Sequence, residues 1–353
     1  MSNHRVIRGR GACSSPTPRY FQYSRAPEPG EGESDGRPET RVSKQKIGQV
    51  ISYNQSPDLP FDRSINPYRG CEHGCIYCFA RPTHAWLDLS PGLDFETRIL
   101  ARPDAPERLA ETLRSPRYQC RPIVIGTNTD CYQPAERRLG ITRRILEVLA
   151  EHRHPVSVLT KSSLVQRDSD VLADMAREGL ASVMVSVTTL DDELKRGLEP
   201  RTPSGRQRLE TVNALATAGV PTGVLLAPVI PALNEHEIET IVEASADAGA
   251  RSLSWVLLRL PHEVAGMFRE WLEVHYPDRA GRVMARVQDS RGGKDYDSRW
   301  GRRLRGQGPY ARLIADRVRL ACRKHGLDAL DRPGLTTEHF RVPRRSGDQL
   351  RLF

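Results

Sequence analysis

The stretch PVSVLTKSSLVQRDSDVLADMAREGLASVMVSV, residues 155–187, decides the architecture. It opens on an apolar run (155–160) and closes on another (181–187). Between them Val171, Leu172 and Met175 fall on one face of a helical repeat. Gly179 follows that helix, where a left-handed residue is wanted and glycine meets no Cβ clash. This predicts one strand–helix–strand unit. The pattern continues on both sides. Further apolar runs are SINPY (64–68), PIVIGT (122–127), TGVLLAP (222–228) and SLSWVLL (252–258). Amphipathic stretches separate them, marked by Leu139, Ile145, Leu146 and Leu149, then by Leu209, Val212 and Leu215, then by Ile238, Ile241 and Val242. Gly219 and Gly249 repeat the role of Gly179. The runs are apolar almost throughout, as for strands covered on both faces. Six units in series predict an α/β fold with a parallel sheet wrapped by helices. The count alone does not fix whether the sheet closes, though six units suggest an open barrel.

The 353 residues allow one large domain or two small ones. Residues 1–45 are expected to lack order. Ala26–Thr40 is rich in Pro, Gly and acids and nearly free of large apolar residues, so it cannot offset its ordering entropy by burial. Residues 46–275 form the expected core domain, 276–338 a basic extension, and 339–353 a tail. No run of eighteen apolar residues is present, so no membrane span is expected. The opening MSNHRVIRGRGACSSP has no apolar core of a secretory signal, and the expected compartment is the cytoplasm.

Lys and Arg number 53 against 44 Asp and Glu, a net charge of +9, and 47 of the basic residues are Arg. Either a codon bias or a phosphate-binding surface accounts for that excess. Seven cysteines, an odd number without a signal segment, argue against a disulfide framework. Three of them cluster in NPYRGCEHGCIYCFA, residues 66–80, with the spacing C-x3-C-x2-C. Thiolates of Cys71, Cys75 and Cys78 on one loop can cap three irons of a cubane and leave the fourth open, as a catalytic centre requires. Zinc bound by these cysteines and His73 is an alternative, though no second ligand pair at zinc-ribbon spacing follows. A ferredoxin-type electron carrier, for which the next cysteine is as far off as Cys120, and purely structural cysteines are the others.

This motif, with Tyr77 before the last cysteine, resembles the signature of the radical S-adenosylmethionine superfamily. The resemblance implies a [4Fe–4S] cluster whose open iron is chelated by S-adenosylmethionine, cleavage to a 5′-deoxyadenosyl radical, and a partial (β/α)6 barrel. It also implies a reductant such as flavodoxin or ferredoxin. Cofactor contacts are then expected from Tyr77 and the strand ends: Asn128 and Asp130, Lys161 toward the carboxylate, Ser186 and Thr188. The motifs GTNTDCYQPAE, LTKSSLVQRD, VSVTTLD and PVIPALN further resemble the DNA repair photolyase-like family related to spore photolyase. In that family a cysteine donates hydrogen from a position before the aspartate. Here that place, around Thr127, holds no cysteine; Cys131 follows Asp130 instead. Cys131 and Tyr132 are candidate catalytic residues, the first as hydrogen donor, the second as radical relay or base-stacking ring. Each is equally compatible with a core position.

Arg291–Arg312 interleaves Arg with Tyr296, Trp300 and Tyr310, which suits phosphates and bases. The closing Gln349, Leu350, Leu352 and Phe353 resemble the peptide by which bacterial repair proteins dock on the sliding clamp. The expected function is radical chemistry on DNA or a nucleotide. A non-DNA substrate (RNA, peptide or small molecule) and a non-catalytic iron–sulfur or zinc nucleic-acid binder are the alternatives.

Overall fold

The computed structural model describes residues 6–20, 38–327 and 334–343. The tail residues Gln349, Leu350, Leu352 and Phe353 lie outside the described residues. All six expected strands form: β1 Arg63–Ile65, β2 Ile123–Ile125, β3 Val156–Thr160, β4 Ala181–Ser186, β5 Thr222–Val229 and β6 Ser252–Leu257. They lie in the sheet in chain order, and every neighbouring pair is parallel. A short strand, Ser52–Tyr53, pairs antiparallel outside β1. The crossovers carry α1 Ala105–Leu113, α2 Ile141–Glu151, α3 Ser169–Arg177, α4 Gly205–Thr217 and α5 Ile238–Asp247. A doubly wound sheet reverses its order at a switch point. The unbroken order here keeps the helices on one side, and the fold is a partial (β/α)6 barrel.

Packing distinguishes the two faces of the sheet. Val156, Val158, Val183, Val185 and Val224 are fully buried with Ile145, Leu146, Leu149, Leu172, Val212 and Ile241 of the helices. The alternate residues Ser157, Leu159, Ser182 and Met184 are only partly buried. Coverage of both faces, expected from sequence, is therefore complete only on the helix side; the other face turns to the barrel interior. Gly179, Gly219 and Gly249 all take positive φ, +69°, +84° and +86°, at the ends of their helices. Because Leu146 is fully buried, Leu146→Ala should cost about 2–5 kcal/mol, read from the urea unfolding midpoint.

Parts of the segment expected to lack order make specific contacts. Arg41–Lys44 pairs in parallel with Arg98–Ala101, and Tyr68–Arg69 completes that small sheet. The Gly11 and Ala12 amides donate to the Glu96 carboxylate at 3.1 and 2.9 Å, and the Ser14 hydroxyl to Glu270 at 2.6 Å. Composition measures apolar burial alone, whereas hydrogen bonds to one buried carboxylate place this strap.

Beyond β6 come α6 Glu263–His275, α7 Pro277–Asp289 and α8 Gly308–Lys324. Ile314, Val318 and Cys322 of α8 join the main core. The β6 edge is not bare: Leu253 and Leu257 donate their amides to the carbonyls of Leu327 and Leu304. Arg291, buried, donates to the carbonyls of Leu258 and Arg302, both at 2.6 Å. Part of the arginine-rich stretch is thus structural. Among the described residues no helix is long and apolar enough to cross a membrane.

Candidate active site

The three clustered cysteines lie on a loop between the short strand Tyr68–Arg69 and the 3-10 turn Arg81–Leu87. The loop reverses at Gly74, where φ is +69° and a Cβ would stand 2.8 Å from Glu96 Oε2, so only glycine fits. Cys71 and Cys75 are buried and Cys78 partly so, and all three are free. Burial pushes each thiol up. At Cys71 the charges of Asp130, Cys75 and Cys78 push further in the same direction. Three thiolates that oppose one another's charge ionise together only against a cation, as a cluster supplies. Among the described residues no three His, Cys, Asp or Glu side chains surround a single-ion position. His73 Nδ1, the expected zinc partner, lies 3.3 Å from Asp130 Oδ2.

Residues 198–202 dock on this loop: Ile76 donates its amide to Leu198 O at 3.1 Å, and Arg201 pairs with Glu72 at 3.1 Å. Docking delivers Glu199, fully buried, to the centre of a polar network. Its Oε1 accepts from Tyr77 Oη and Thr188 Oγ1 (2.7 Å) and faces Lys161 Nζ at 3.2 Å. Its Oε2 pairs with Arg208 Nη2. Lys161 Nζ also donates to Ser186 Oγ at 2.7 Å and stands 5.7 Å from the Tyr77 ring centroid. Burial works to raise the Glu199 carboxyl. Arg208 and Lys161 outweigh it and hold the group well below the usual carboxylate range.

Asp130 forms an adjoining group at the ends of β2 and β3. It accepts from Thr160 Oγ1 at 2.6 Å, the Lys161 amide at 2.7 Å and the Tyr132 amide at 2.8 Å. Burial opposes its charge, and His73 with these hydrogen bonds holds its carboxyl low all the same.

Five of the six expected cofactor residues, Tyr77, Asp130, Lys161, Ser186 and Thr188, therefore gather beside the cysteine loop. The sixth, Asn128, is exposed at the end of β2, where its amide donates to Asn66 Oδ1 at 2.9 Å. Cys131 and Tyr132 are fully buried in the main core. Cys131 Sγ lies 3.9 Å from Leu159 O, and Tyr132 Oη donates to Asp168 at 2.9 Å. Their contacts are those of packed residues.

Glu199, Arg208 and His73 had no place in the sequence reading as members of this network. The one signal for Glu199 is an acid followed by Pro200 just after a short helix, Asp192–Leu198. Beneath the loop, Arg81 and Glu96 form a fully buried pair at 2.5 Å. Arg81 also donates to Cys75 O at 2.9 Å, Gly74 O at 3.2 Å and Gly92 O at 3.0 Å. Fixed donors, acceptors and one cation at the C-terminal ends of parallel strands suit a zwitterionic ligand held against the cysteine loop.

A family model described as the radical SAM superfamily matches residues 65–244, half of the chain. An uncharacterized protein of Mycobacterium tuberculosis is 38% identical over 226 residues, 64% of this chain and 66% of the relative, just under two thirds of its length. An uncharacterized protein of Methanocaldococcus jannaschii is 26% identical, over 67% of this chain and 84% of the relative. Among solved structures, spore photoproduct lyase complexed with dinucleoside spore photoproduct aligns at a TM-score of 0.58 and 15% identity, over 80% of this chain and 79% of that one. A variant of that lyase solved with bound AdoMet and dinucleoside spore photoproduct aligns equally well, at 0.58. At such identity these likenesses concern the fold.

Proposed function

The chain belongs to the radical SAM superfamily, whose enzymes use a [4Fe–4S] cluster and S-adenosylmethionine, and from that premise we propose that Cys71, Cys75 and Cys78 hold the cluster while the chain acts on a nucleic-acid substrate. The observation that carries this reading is the meeting of three clustered thiols with the Tyr77–Lys161–Thr188–Glu199 network at the strand ends. When bound, cluster and cofactor together supply one-electron cleavage of the sulfonium to methionine and a 5′-deoxyadenosyl radical. Lys161 meets the cofactor carboxylate with its ammonium. Ser186 and Thr188 offer hydroxyls to the carboxylate or ribose. Asp130, already engaged by His73, Thr160 and the Lys161 and Tyr132 amides, would fix the strand ends beside the cofactor, and Tyr77 would wall the pocket against water. Glu199 holds Lys161, Tyr77 and Thr188 in register. A nucleic-acid substrate is supported by the net charge of +9 and by the shared fold with a lyase solved on a dinucleoside lesion. Cys131, sealed in the core, needs a local opening to donate hydrogen.

Anaerobic reconstitution with iron, sulfide, dithionite and S-adenosylmethionine tests the reading. Wild-type protein should bind a full cluster and release 5′-deoxyadenosine, and Cys75→Ala should lose both. Zinc as the resident metal, or a loaded cluster that releases no 5′-deoxyadenosine, would refute it.

A further inference from the structure

Beside the strand ends lies a cleft of about 630 Å³, within the usual range of ligand sites. Its floor and walls come from three places: the loops after β4 and β5, helix α7, and the first turn of α8. Arg279, Arg282 and Arg286 of α7 line it together, because residues three and four apart share a helix face. Val283, Met284 and Val287 of the same helix turn into the hydrophobic interior. Tyr276, Tyr310 and His236 complete the aromatic part of the lining. Arg286 stands over the Tyr310 ring at 4.9 Å.

The charges do not balance within the cleft. Arg286 reaches Asp289 at 3.6 Å, while Arg279 and Arg282 have no ion pair among the described residues. Two acids, Asp191 and Glu235, also line the cleft, each held by neutral donors and offset in number by the three arginines. Asp191 caps the short helix Asp192–Leu198 by accepting from the amides of Glu193 (2.7 Å) and Leu194 (3.1 Å). Glu235 accepts the Tyr310 hydroxyl. Three guanidiniums against two carboxylates leave the lining with a net positive charge that favours an anionic ligand.

The cleft is tied to the cofactor network. Asn234 Nδ2, on the loop after β5, donates to Thr188 O at 2.8 Å and Pro228 O at 3.0 Å. Glu237 accepts the Leu190 amide at 2.9 Å. The loop after β5, which lines the cleft at Ala232 to His236, is thereby fixed to Thr188.

The geometry points to this cleft as the seat of a single-stranded nucleic-acid segment, with Arg279, Arg282 and Arg286 on its phosphodiesters and the Tyr276 and Tyr310 rings against its bases. This inference deepens the nucleic-acid part of the proposed function and rests on it. The arginine-rich stretch Arg291–Arg312, where the sequence predicts such a surface, is partly engaged within the fold. There Arg291 is buried, Arg303 pairs with Asp58 at 2.7 Å and Arg299 with Asp297 at 2.7 Å.

The test is fluorescence anisotropy of a labelled oligothymidylate with the full chain over a series of salt concentrations. Single strands lose affinity with salt at a slope of about 0.7 per neutralised phosphate, so the triple variant Arg279→Ala/Arg282→Ala/Arg286→Ala should bind more than tenfold more weakly, with a slope shallower by about 2. Arg282→Glu alone, at an exposed position, should weaken binding in the same direction. A control that removes equal charge elsewhere, Arg117→Ala/Arg138→Ala/Arg177→Ala, should bind nearly as wild type does. Equal losses in both triples, or unchanged affinity in the cleft triple, overturn the proposal. The two readings fail separately: wild-type protein that makes no 5′-deoxyadenosine sinks the radical chemistry, whereas the anisotropy result reports on the cleft alone.

Discussion

Glu199→Ala should destabilise the chain by about 3–5 kcal/mol, the cost of stranding buried charge. Two cations depend on that carboxylate. Arg208, itself 1% exposed, keeps its hydrogen bonds to Thr202 and Ser186 O but loses its charge partner; Lys161 loses a contact at 3.2 Å. Tyr77 and Thr188 lose their shared acceptor. Urea unfolding followed by circular dichroism measures the loss, and a change below about 1 kcal/mol would show that water or rearrangement satisfies the cations instead. The double replacement Glu199→Leu/Arg208→Leu should be milder than the single one, because it removes the buried pair together. Acid should mimic the single change. The folded Glu199 carboxyl titrates well below its unfolded value of about 4.3, so its stabilisation is full above that pH and is lost progressively as pH falls from there toward the depressed folded value.

Arg81→Ala should cost a similar amount, about 3–5 kcal/mol, and should also loosen the metal site. The guanidinium and the Glu96 carboxylate are both fully buried. One end of the pair gathers the carbonyls of Gly74, Cys75 and Gly92, and the other receives the amides of Gly11 and Ala12. Arg81 is thus a positioning residue: it holds the backbone that carries Cys75 and joins it to the N-terminal strap. Iron bound per chain after anaerobic reconstitution should fall several-fold in Arg81→Ala. Arg81→Lys, which keeps the charge but not the planar fork, should recover part of it. A variant that melts early yet retains iron as wild type does would confine Arg81 to folding.

Helices and strands were legible because their periods repeat within a few residues. β3, β4 and β6 fall within one residue of the runs that announced them, and the three glycines stop their helices where expected. The cysteine triplet was equally plain, since its three thiols lie within eight residues. Strand ends supplied Asp130, Lys161, Ser186 and Thr188, because parallel strands bring their C-terminal residues to one rim. Asn128 shared that position and is exposed, since a strand end fixes neighbourhood but not side-chain direction.

Local pattern thus determined the strand–helix units, their parallel sheet and the cysteine-bearing loop, while the strand order came from the fold. Tertiary structure alone decided which charges meet. Lys161 and Glu199 are 38 residues apart, and Arg81 and Glu96 15 apart, with no period linking them. Tertiary structure also decided that Cys131 and Tyr132 sit in the core, that a strap poor in apolar residues is placed by one buried carboxylate, and that α7 turns three arginines into a cleft. The reason is physical. Backbone periodicity is a property of neighbours along the chain, whereas a buried charge is stable only beside its partner, and packing chooses that partner.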